Sequence, residues 1–448
     1  MTTNNTQPAR GTRDFLPDDV RRREFVVGVV RSVYERYGFE PLETPAFENI
    51  ETLLGKYGEE GNQLIFKILK RGEHEASGQA DLALRYDLTV PLARVVAQYQ
   101  AQLPKFFKRY QIQPVWRADR PARGRFREFY QCDIDSVGST SPVVEAEVLS
   151  AVSEVLARLG FSDFVIRLNH RRVLSALLDT SGVAEALHGE ALVALDKLDK
   201  IGPDGVTKEL AARGIDAGAS ARLLKAFAGG DDVMAALSTE LGSHEAGTLA
   251  VAELATIVSL SESTAAAGRI RIDPSLARGL SYYTGAIMEI AVPDLAGSLG
   301  GGGRYDNLVG MFLGREVPAC GFSLGLERIL VVMGERNMFP PEIAHGAIDV
   351  TVTLWNDDAR GDALALAGEL RAAGLRVDVY PESDKLGKQF KYAASRHVPF
   401  VAIVGDDEQA KGEVAFKDLA SGEQQSVRRA DAPSFVAARL RALKGEHS

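Results

Sequence analysis

The segment Val115–Asp135, VWRADRPARGRFREFYQCDID, constrains the fold more than any other part of the sequence. Two runs with period-two alternation flank a short loop, RPARGR, which predicts an antiparallel β-hairpin with three arginines in its loop. One face of the first strand carries Arg117 and Asp119, and one face of the second carries Arg127, Phe129, Gln131, Asp133 and Asp135. Such a mixture of charges, an amide and a ring is costly to bury without a ligand. The hairpin is therefore either a ligand site or a solvated two-stranded surface.

The composition describes an ordinary globular protein of more than one domain. The chain has 448 residues, of which 45% are hydrophobic and 25% charged. It contains no run of about 20 apolar residues and no apolar signal core at its N-terminus, so we expect no membrane span or membrane partner. The formal net charge of -9 argues against unselective binding to nucleic acid, and we expect no DNA partner, although a local basic patch remains open.

Cysteine and histidine usage bears on the compartment and on metals. Cys132 and Cys320 form no CxxC pair, and the seven histidines show no ligand spacing. We therefore expect no protein metal site and no disulfide framework. This pattern indicates a reducing compartment and predicts a cytoplasmic location.

The element pattern divides the chain into a larger antiparallel part, residues 1–340, and a smaller α/β part, residues 345–448. In the larger part, Asp18 is expected to cap a helix that Gly38 closes, and a later helix is expected to begin at Pro91. Residues 173–266, approximately, read as a helical insertion, which is either a packing subdomain or a ligand-binding one. Strand and helix patterns alternate as β-α-β-α-β beyond residue 345, typical of a small α/β domain. The fold class is therefore α+β.

Two further segments carry polar side chains between glycines. LARGLSYYTG places Arg278 near Tyr282 and Tyr283, which would face opposite ways on a strand. GSLGGGGRYDNL contains four consecutive glycines, 300–303, followed by Arg304 and Tyr305. This second segment is either a flexible hairpin connection or a backbone that a ligand approaches closely, with Arg304 and Tyr305 in a site wall. It is no P-loop, because GxxxxGK[ST] is absent.

The segment CGFSLGLERILVVMG predicts a helix from Gly325 with Arg328 near its N-terminus. A cation there opposes the helix dipole, which is explicable if Arg328 meets an anion or a nucleobase, or pairs with a surface carboxylate. Arginines thus recur in four segments that together extend over more than two hundred residues of the chain. Because the guanidinium group binds phosphates in bidentate geometry and stacks on rings, these segments together predict a polyphosphate ligand.

With these residues in view, the chain resembles the class II aminoacyl-tRNA synthetases, and in detail the histidyl-tRNA synthetases. GFEPLETPAFE, centred on Pro45, resembles the first class motif, the hairpin segment the second, and GFSLGLERIL the third. LARGLSYYTG, GGGGRYDNL and YDLTVP resemble signatures of the histidine enzymes. The resemblance implies an antiparallel-sheet catalytic domain with a helical insertion, a C-terminal α/β anticodon-binding domain, and a homodimer. It implies activation of L-histidine with ATP, with Mg²⁺ accompanying the nucleotide, and transfer of histidine to tRNA(His).

The resemblance also implies roles for individual residues. The catalytic pair would be Arg117 and Arg278, both at the α-phosphate. Histidine would be bound by Asp87, Leu88, Thr89, Arg117, Gln131, Asp135, Arg278, Tyr282, Tyr283 and Tyr305. ATP would be bound by Arg117, Asp119, Arg125, Phe129 and Arg328, and the loop arginines Arg120, Arg123 and Arg125 would also serve the acceptor end of tRNA.

Some positions depart from the family pattern, and other functions compete. Ser281 stands where the family signature has aspartate, which weakens any carboxylate role there, whereas Asp87 and Asp135 fit the eukaryote-type branch. A histidine-sensing regulatory subunit of ATP phosphoribosyltransferase uses the same scaffold, but it would lack the activating arginines and the C-terminal domain. A synthetase for glycine, threonine or proline would lack LARGLSYYTG and YDLTVP. We expect no editing domain, since a buried carboxylate and hydroxyl already discriminate on the order of 10⁴-fold or better.

Overall fold

The computed structural model describes residues 6–72, 77–195, 197–228, 232–277, 282–340, 343 and 348–443. It divides into two compact units, Met1–Met338 and Phe339–Ser448. Arg278 and Ser281, which the sequence singled out, lie outside the described residues. Within the described ranges, no helix combines the length and the apolar character that crossing a membrane requires.

An eight-stranded sheet forms the centre of the first unit. Numbered in chain order, its strands follow the spatial order β1 (Glu40–Pro41), β5 (Phe107–Trp116), β6 (Glu128–Val137), β11 (Ala319–Gly325), β10 (Ser298–Arg304), β9 (Ala286–Ala291), β7 (Val165–His170) and β8 (Ile270–Ile272). Neighbours from β5 to β7 are antiparallel, whereas β1 and β8 pair in parallel at the two edges. The antiparallel architecture expected from the sequence is thus present.

The predicted hairpin is β5 and β6, which pair along their whole length from Phe107 opposite Val137 to Trp116 opposite Glu128. The expectation that Arg117 and Asp119 belong to the first strand is wrong, because β5 ends at Trp116. Both residues lie in the connecting loop, 117–127, which contains a proline that cannot donate to a ladder and a glycine with φ of 68°. The loop, rather than a strand, therefore presents these two side chains.

Helices cover one side of the sheet. The first, α1 (Pro17–Arg36), buries an apolar stripe of Val26, Val30, Val33 and Tyr34, and it packs on β5, β6, α5 (Val143–Arg158) and α13 (Leu326–Glu335). Asp18 is not its N-cap. Leu16 takes that position without a side-chain hydrogen bond, because Pro17 begins the helix and needs no N–H partner there. Asp18 lies in the first turn, where its charge complements the helix dipole.

A second, three-stranded antiparallel sheet lies in the same unit. Its order is β2 (Phe47–Asn49), β4 (Ala80–Leu84) and β3 (Lys67–Leu69). The short helices of this region are α2 (Ile50–Leu53), α3 (Gly58–Gln63) and α12 (Gly310–Leu313), and the longer one is α4 (Thr89–Tyr99). The helix expected at Pro91 begins two residues earlier, where an Asp87 carboxylate oxygen accepts the Val90 N–H at 3.0 Å.

Helices fill the chain between β7 and β8. They are α6 (Arg171–Ser181), α7 (His188–Leu195), α8 (Leu198–Ala212), α9 (Ala217–Ala228), α10 (Val233–Glu240) and α11 (Glu245–Ser261), with a 3-10 turn at Glu185–Leu187. Because β7 and β8 are neighbours in the large sheet, this helical segment leaves the sheet and returns to the adjacent position.

The second unit is a five-stranded sheet with helices. The strand order is β13 (Val377–Val379), β12 (Val350–Val352), β14 (Phe400–Ile403), β15 (Glu413–Asp418) and β16 (Gln424–Arg428). The helices are α14 (Arg360–Ala372), α15 (Leu386–Ser395), α16 (Asp406–Lys411) and α17 (Ala432–Leu443), preceded by a 3-10 turn at Arg429–Asp431. Three parallel strands alternate with α14 and α15, as predicted, and the antiparallel strand β16 and helix α16 are additional.

Candidate active site

A cleft of about 890 Å³ lies on the large sheet of the first unit, between the loop of the β5–β6 hairpin, one face of β6 and the start of α13. The residues expected from the sequence that line it are Asp87, Thr89, Arg117, Asp119, Arg123, Arg125, Phe129, Gln131, Asp135, Tyr282, Tyr283, Tyr305 and Arg328. Residues from distant parts of the chain thus meet in one cavity of the size that small-molecule ligands occupy.

Two of the residues expected to bind histidine, ATP or tRNA, Leu88 and Arg120, do not line the cleft. Leu88 is fully buried at the start of α4, and its backbone carbonyl accepts a hydrogen bond from Arg109 Nη2 at 3.1 Å, so it supports the cleft from behind. Arg120 is exposed in the loop and is absent from the cleft wall. Arg278 lies outside the described residues, so its expected role stays a prediction.

One end of the cleft is a buried carboxylate centre built around Asp87. Its two oxygens accept hydrogen bonds from the Tyr57 hydroxyl at 2.9 Å and from the Tyr282 hydroxyl at 3.2 Å. Burial raises the pKa of Asp87, and the Val90 N–H, Arg117 and the two hydroxyls oppose this rise. The arrangement suits a cationic ligand group, because an incoming positive charge would stabilise the ionised carboxylate.

A second carboxylate pair, Asp133 and Asp135, flanks the buried side chain of Arg109. Arg109 Nη2 lies 2.9 Å from Asp135 Oδ2 and 3.9 Å from Asp133 Oδ2, and the Tyr305 hydroxyl donates to Asp135 Oδ1. The contact with Asp135 is close, but it is not aligned as a hydrogen bond, so it is chiefly ionic. Burial raises the pKa of Asp133 to about 7, against the opposing charge of Arg109, and Asp135 adds to the rise. Burial also raises the pKa of Asp135.

Several polar atoms at this end have no hydrogen-bond partner among the described residues. They are Gln131 Oε1, Asp133 Oδ1, and the Nε and Nη1 atoms of Arg109. Buried polar atoms are nearly always satisfied in native proteins, and orphaned ones in a cleft wall call for a ligand or water. The acceptors among them, Gln131 Oε1 and Asp133 Oδ1, suit N–H donors.

Asp135 occupies its position because the facing residue on β11 is glycine. Gly321 is its direct partner in the β6–β11 ladder, and a Cβ atom there would lie 1.9 Å from Asp135 Oδ1. No side chain can share this space with the carboxylate. The glycine therefore determines where the carboxylate points.

Arg117 lies between the carboxylate end and the opposite end of the cleft. Its Nε donates to the backbone carbonyl of Tyr86 at 3.0 Å, and its guanidinium lies 4.2 Å from the centroid of the Tyr86 ring and 5.2 Å from that of Phe129. A planar cation held between rings is fixed in orientation, which favours bidentate contact with a phosphate or carboxylate.

The opposite end of the cleft combines Phe129 with Arg328. The Arg328 Nη1 atom donates to the backbone carbonyl of Ser298 at 2.5 Å, which orients this guanidinium at the first turn of α13. Gly124 in the hairpin loop, with φ of 68°, approaches the Arg328 side chain so closely that a Cβ would lie 3.3 Å from its Cγ. An aromatic ring and a guanidinium in one cavity are typical of a site for a flat heterocycle.

The loop arginines make different contacts. Arg125 lies 3.7 Å from Asp119 and remains half exposed, while Arg123 Nε donates to Glu335 at 3.0 Å and its Nη1 to the Asp294 carbonyl at 3.2 Å. The Arg123 contacts join the loop to the far end of α13. Cations therefore surround the mouth of the cleft as well as its interior.

The four glycines 300–303 are part of the central strand β10, between β9 and β11, and are not a flexible connection. A Cβ on Gly302 would lie 2.2 Å from the Gly321 carbonyl, and one on Gly303 would lie 2.4 Å from the Ala286 carbonyl. Arg304 does not line the cleft; its Nε donates to Glu145 at 2.6 Å in a buried ion pair. The strand therefore forms a floor of bare backbone.

The tyrosine pair also differs from expectation. Tyr282 and Tyr283 are not in a strand, and both line the cleft, with ring centroids 5.1 Å apart. Burial raises the pKa of both hydroxyls, so both remain protonated donors. Two hydroxyls thus lie at the carboxylate end, where that of Tyr282 already donates to Asp87.

Among the residues that sequence reasoning missed are three at the carboxylate end: Arg109, Asp133 as a site residue, and Tyr57. A signal for Arg109 was present, because Arg109, Gln111 and Gln113 alternate along β5 as a polar stripe that must face something other than the apolar core. Tyr57 follows no such pattern, since it reaches Asp87 from a turn before α3.

Comparisons with known proteins agree with this arrangement. Residues 11–329 match the profile of the histidyl-tRNA synthetase family, and residues 349–439 match that of an anticodon-binding domain. The chain is 42% identical over 461 residues to a histidine–tRNA ligase from Flavobacterium johnsoniae, covering 93% of this chain and 96% of that protein. It is 41% identical over 460 residues to one from Gloeobacter violaceus, covering 96% and 98%.

A solved structure extends the comparison to three dimensions. The crystal structure of a histidyl-tRNA synthetase from a Nostoc strain superimposes with a TM-score of 0.81 at 34% identity, covering 98% of this chain and all of that one. The α+β class, with a synthetase catalytic domain and an anticodon-binding domain, is confirmed. The chain belongs to the histidyl-tRNA synthetase family.

Proposed function

We propose that this histidine–tRNA ligase forms histidyl-adenylate in the 890 Å³ cleft, with histidine at the carboxylate end and ATP at the arginine end. The observation that carries the proposal is the meeting, in one cavity, of Asp87, Asp133 and Asp135 with Arg117 and Arg328. One end is suited to a cationic amino acid and the other to a polyphosphate with a flat base. Transfer of histidine to tRNA(His) then completes the ligase reaction.

At the carboxylate end, the α-ammonium group of histidine would be held by Asp87, Thr89 and Gln131. The imidazole nitrogens would meet Asp135 and Tyr283. Support comes from charge and from unsatisfied acceptors: three buried carboxylates face the ligand, and Gln131 Oε1 has no hydrogen-bond partner among the described residues. A substrate without these donors would leave buried acceptors unpaired, which is the strongest basis for selectivity.

In our proposal, Tyr282 and Tyr305 act through the carboxylates that bind histidine. Their hydroxyls donate to Asp87 and Asp135, respectively, and so keep both carboxylates oriented. Leu88 contributes through its backbone, whose carbonyl holds Arg109 beside Asp135.

At the nucleotide end, a histidine carboxylate oxygen would attack the α-phosphorus of ATP, and pyrophosphate would leave with the electrons of the broken P–O bond. Arg117 would contact the α-phosphate and the histidine carboxylate, Phe129 and Arg328 would enclose adenine, and Asp119 with Arg125 would serve the rest of the nucleotide. Such a step needs alignment and charge stabilisation more than covalent help from the protein. Arg278 would supply further charge at the α-phosphate.

Mg²⁺ enters this proposal with ATP, as part of the substrate. Mg²⁺ commonly takes one or two protein carboxylates and completes its shell with phosphate oxygens and water. The carboxylate of Asp119 in the cleft wall fits that mode, whereas the described residues contain no group of three or more histidine, cysteine or acidic side chains arranged for a metal. The triphosphate would therefore supply most of the ligands.

The remaining assignments concern organisation. We propose residues 1–340 as the catalytic domain with an insertion at approximately 173–266, residues 345–448 as the domain that binds the anticodon of tRNA(His), and a cytoplasmic location. We also propose a homodimer. Large apolar side chains that stay exposed between residues 47 and 106 favour one; they are Phe47, Leu54, Leu69, Tyr99 and Phe106. Sedimentation equilibrium would measure the oligomeric state.

The competing function, a histidine-sensing regulatory subunit of ATP phosphoribosyltransferase, is less supported. Such a subunit would need neither Arg117 and Arg328 in the cleft nor a C-terminal unit that matches an anticodon-binding domain. ATP–pyrophosphate exchange with each of the twenty amino acids tests the proposal. We expect exchange with histidine alone, whereas histidine binding without exchange would refute adenylate formation in this cleft.

A further inference from the structure

The N-terminal arm, which comprises residues 10–16, packs against the loop of the β5–β6 hairpin. The Gly11 carbonyl accepts a hydrogen bond from the backbone N–H of Arg127 at 2.8 Å. A Cβ on Gly11 would lie 2.8 Å from Arg127 Cγ and 3.0 Å from Pro121 Cγ, and its φ of 88° already disfavours a side chain. The arm and the loop therefore meet at a contact that requires glycine.

Arg13 makes the second contact between the arm and the loop. Its guanidinium lies 4.2 Å from the ring centroid of Phe126 and 4.6 Å from that of Phe15, within the range of cation–π interactions. Phe126 lines the cleft, whereas Arg13 does not. Arg13 thus supports a cleft residue from behind without reaching the ligand space.

The same stack continues to the opposite wall of the cleft through Arg23 of α1. The Arg23 guanidinium lies 3.9 Å from the centroid of the Phe15 ring and 4.5 Å from that of Tyr130, and its Nη1 is 3.3 Å from Glu327 Oε1. The other oxygen of Glu327 accepts the Tyr130 backbone N–H at 2.9 Å. This series of contacts reaches Glu327 in the first turn of α13. The next residue, Arg328, faces the nucleotide end of the cleft.

We propose that the N-terminal arm is a positioning element for ATP, which fixes the separation between the hairpin loop and the start of α13. The inference rests on the proposed function, because it assigns this end of the cleft to the nucleotide. A flat base enclosed between Phe129 and Arg328 is sensitive to that separation, since displacements of about 1 Å in a positioning group lower rates strongly. Among the described residues, none of the backbone hydrogen bonds and cation–π contacts of the arm reaches Asp87, Asp133 or Asp135, so we expect histidine binding to be independent of it.

Arg13→Ala tests the inference, with Arg10→Ala as the matched control. Arg10 lies in the same arm and its side chain is exposed, so its removal leaves the loop contacts in place. In ATP–pyrophosphate exchange we expect Arg13→Ala to raise the KM for ATP about five- to tenfold, the range that losing a cation–π stack produces. The KM for histidine should stay within about twofold of wild type, and Arg10→Ala should match wild type for both substrates.

The other outcomes distinguish failure of the positioning role from failure of the proposed function. An unchanged KM for ATP, or an equal rise in both KM values, overturns the positioning role. A raised KM for tRNA in aminoacylation, with unchanged exchange, also overturns it, because the arm would then serve tRNA. Absence of exchange in the wild-type chain would refute the proposed function instead. If Arg13→Ala fails to fold, Arg13→Lys keeps the charge without the planar stack and decides the question by the same comparison of KM values.

Discussion

Replacing Gly321 with alanine should impair binding at the histidine end of the cleft and leave binding at its nucleotide end nearly unchanged. The added Cβ would lie 1.9 Å from Asp135 Oδ1, 2.4 Å from its Cγ and 2.6 Å from the Ile134 carbonyl. Real Cβ atoms do not approach so closely, and the ladder on both sides of β11 restrains the backbone. The Asp135 carboxylate must therefore rotate away from Arg109 and from the Tyr305 hydroxyl.

The size of the effect follows from the contacts that Asp135 loses. Breaking a buried ion pair by displacing one partner destabilises a protein by about 3–5 kcal/mol, and a hydrogen bond to a charged group contributes about 1.5–3 kcal/mol. We expect the free energy of unfolding of Gly321→Ala to fall by about 3–5 kcal/mol. The KM for histidine should rise on the order of 100-fold, because the imidazole partner has moved, while the KM for ATP stays within about threefold.

Pyrophosphate exchange, titrated separately with histidine and with ATP, measures both constants, and urea unfolding measures stability. Gly334→Ala is the matched control, since Gly334 lies in α13 and a Cβ there meets no heavy atom within 4 Å. The control should keep wild-type kinetics and gain up to about 1 kcal/mol from helix propensity. A wild-type KM for histidine in Gly321→Ala would refute the assignment of this end of the cleft.

Three further substitutions test the buried charges. Because burial holds the pKa of Asp133 at about 7 in the folded chain, against an ordinary value of 3.8, the folded state binds the extra proton and stability falls as pH rises between these values. Asp133→Asn should make that slope shallower in urea midpoints measured across this range, with Asp87 and Asp135 contributing the rest, and an unchanged slope would contradict the assignment. Tyr57→Phe removes a hydroxyl donor from Asp87 and should raise the KM for histidine about tenfold in exchange assays, with little change for ATP. Arg304→Met leaves Glu145 buried without its partner and should lower the free energy of unfolding by about 3–5 kcal/mol, seen as a lower urea midpoint.

Local alternation predicted the parts of this site that depend on strand geometry alone. Phe129, Gln131, Asp133 and Asp135 share one face of β6 because successive residues of any strand point to opposite sides. The same logic fails at Arg117, where the strand has already ended. Alternation shows which face a residue takes but not where pairing stops, since that depends on the partner strand.

Contacts between distant segments were beyond the reach of sequence patterns. Asp87 is held by Tyr57, 30 positions away, and by Tyr282, 195 positions away, and neither spacing follows a period. Arg304 was the opposite case, a residue assigned to the site that lies outside it. Its position beside a run of glycines suggested a ligand contact, but its side chain pairs with Glu145. Whether a charged side chain meets a ligand or a carboxylate is decided by tertiary packing, which local sequence does not encode.

The glycine floor of the cleft has a thermodynamic consequence. Ligands that settle on Gly300, Gly301 and Gly302 contact backbone that has no rotamers to lose, whereas an ordinary side chain at each position would give up conformational entropy on binding. The ordering cost of binding is therefore concentrated in a few side chains such as Arg125, which is still half exposed at the mouth of the cleft. The conformational-entropy part of the binding free energy should accordingly report the mouth of the cleft far more than its base.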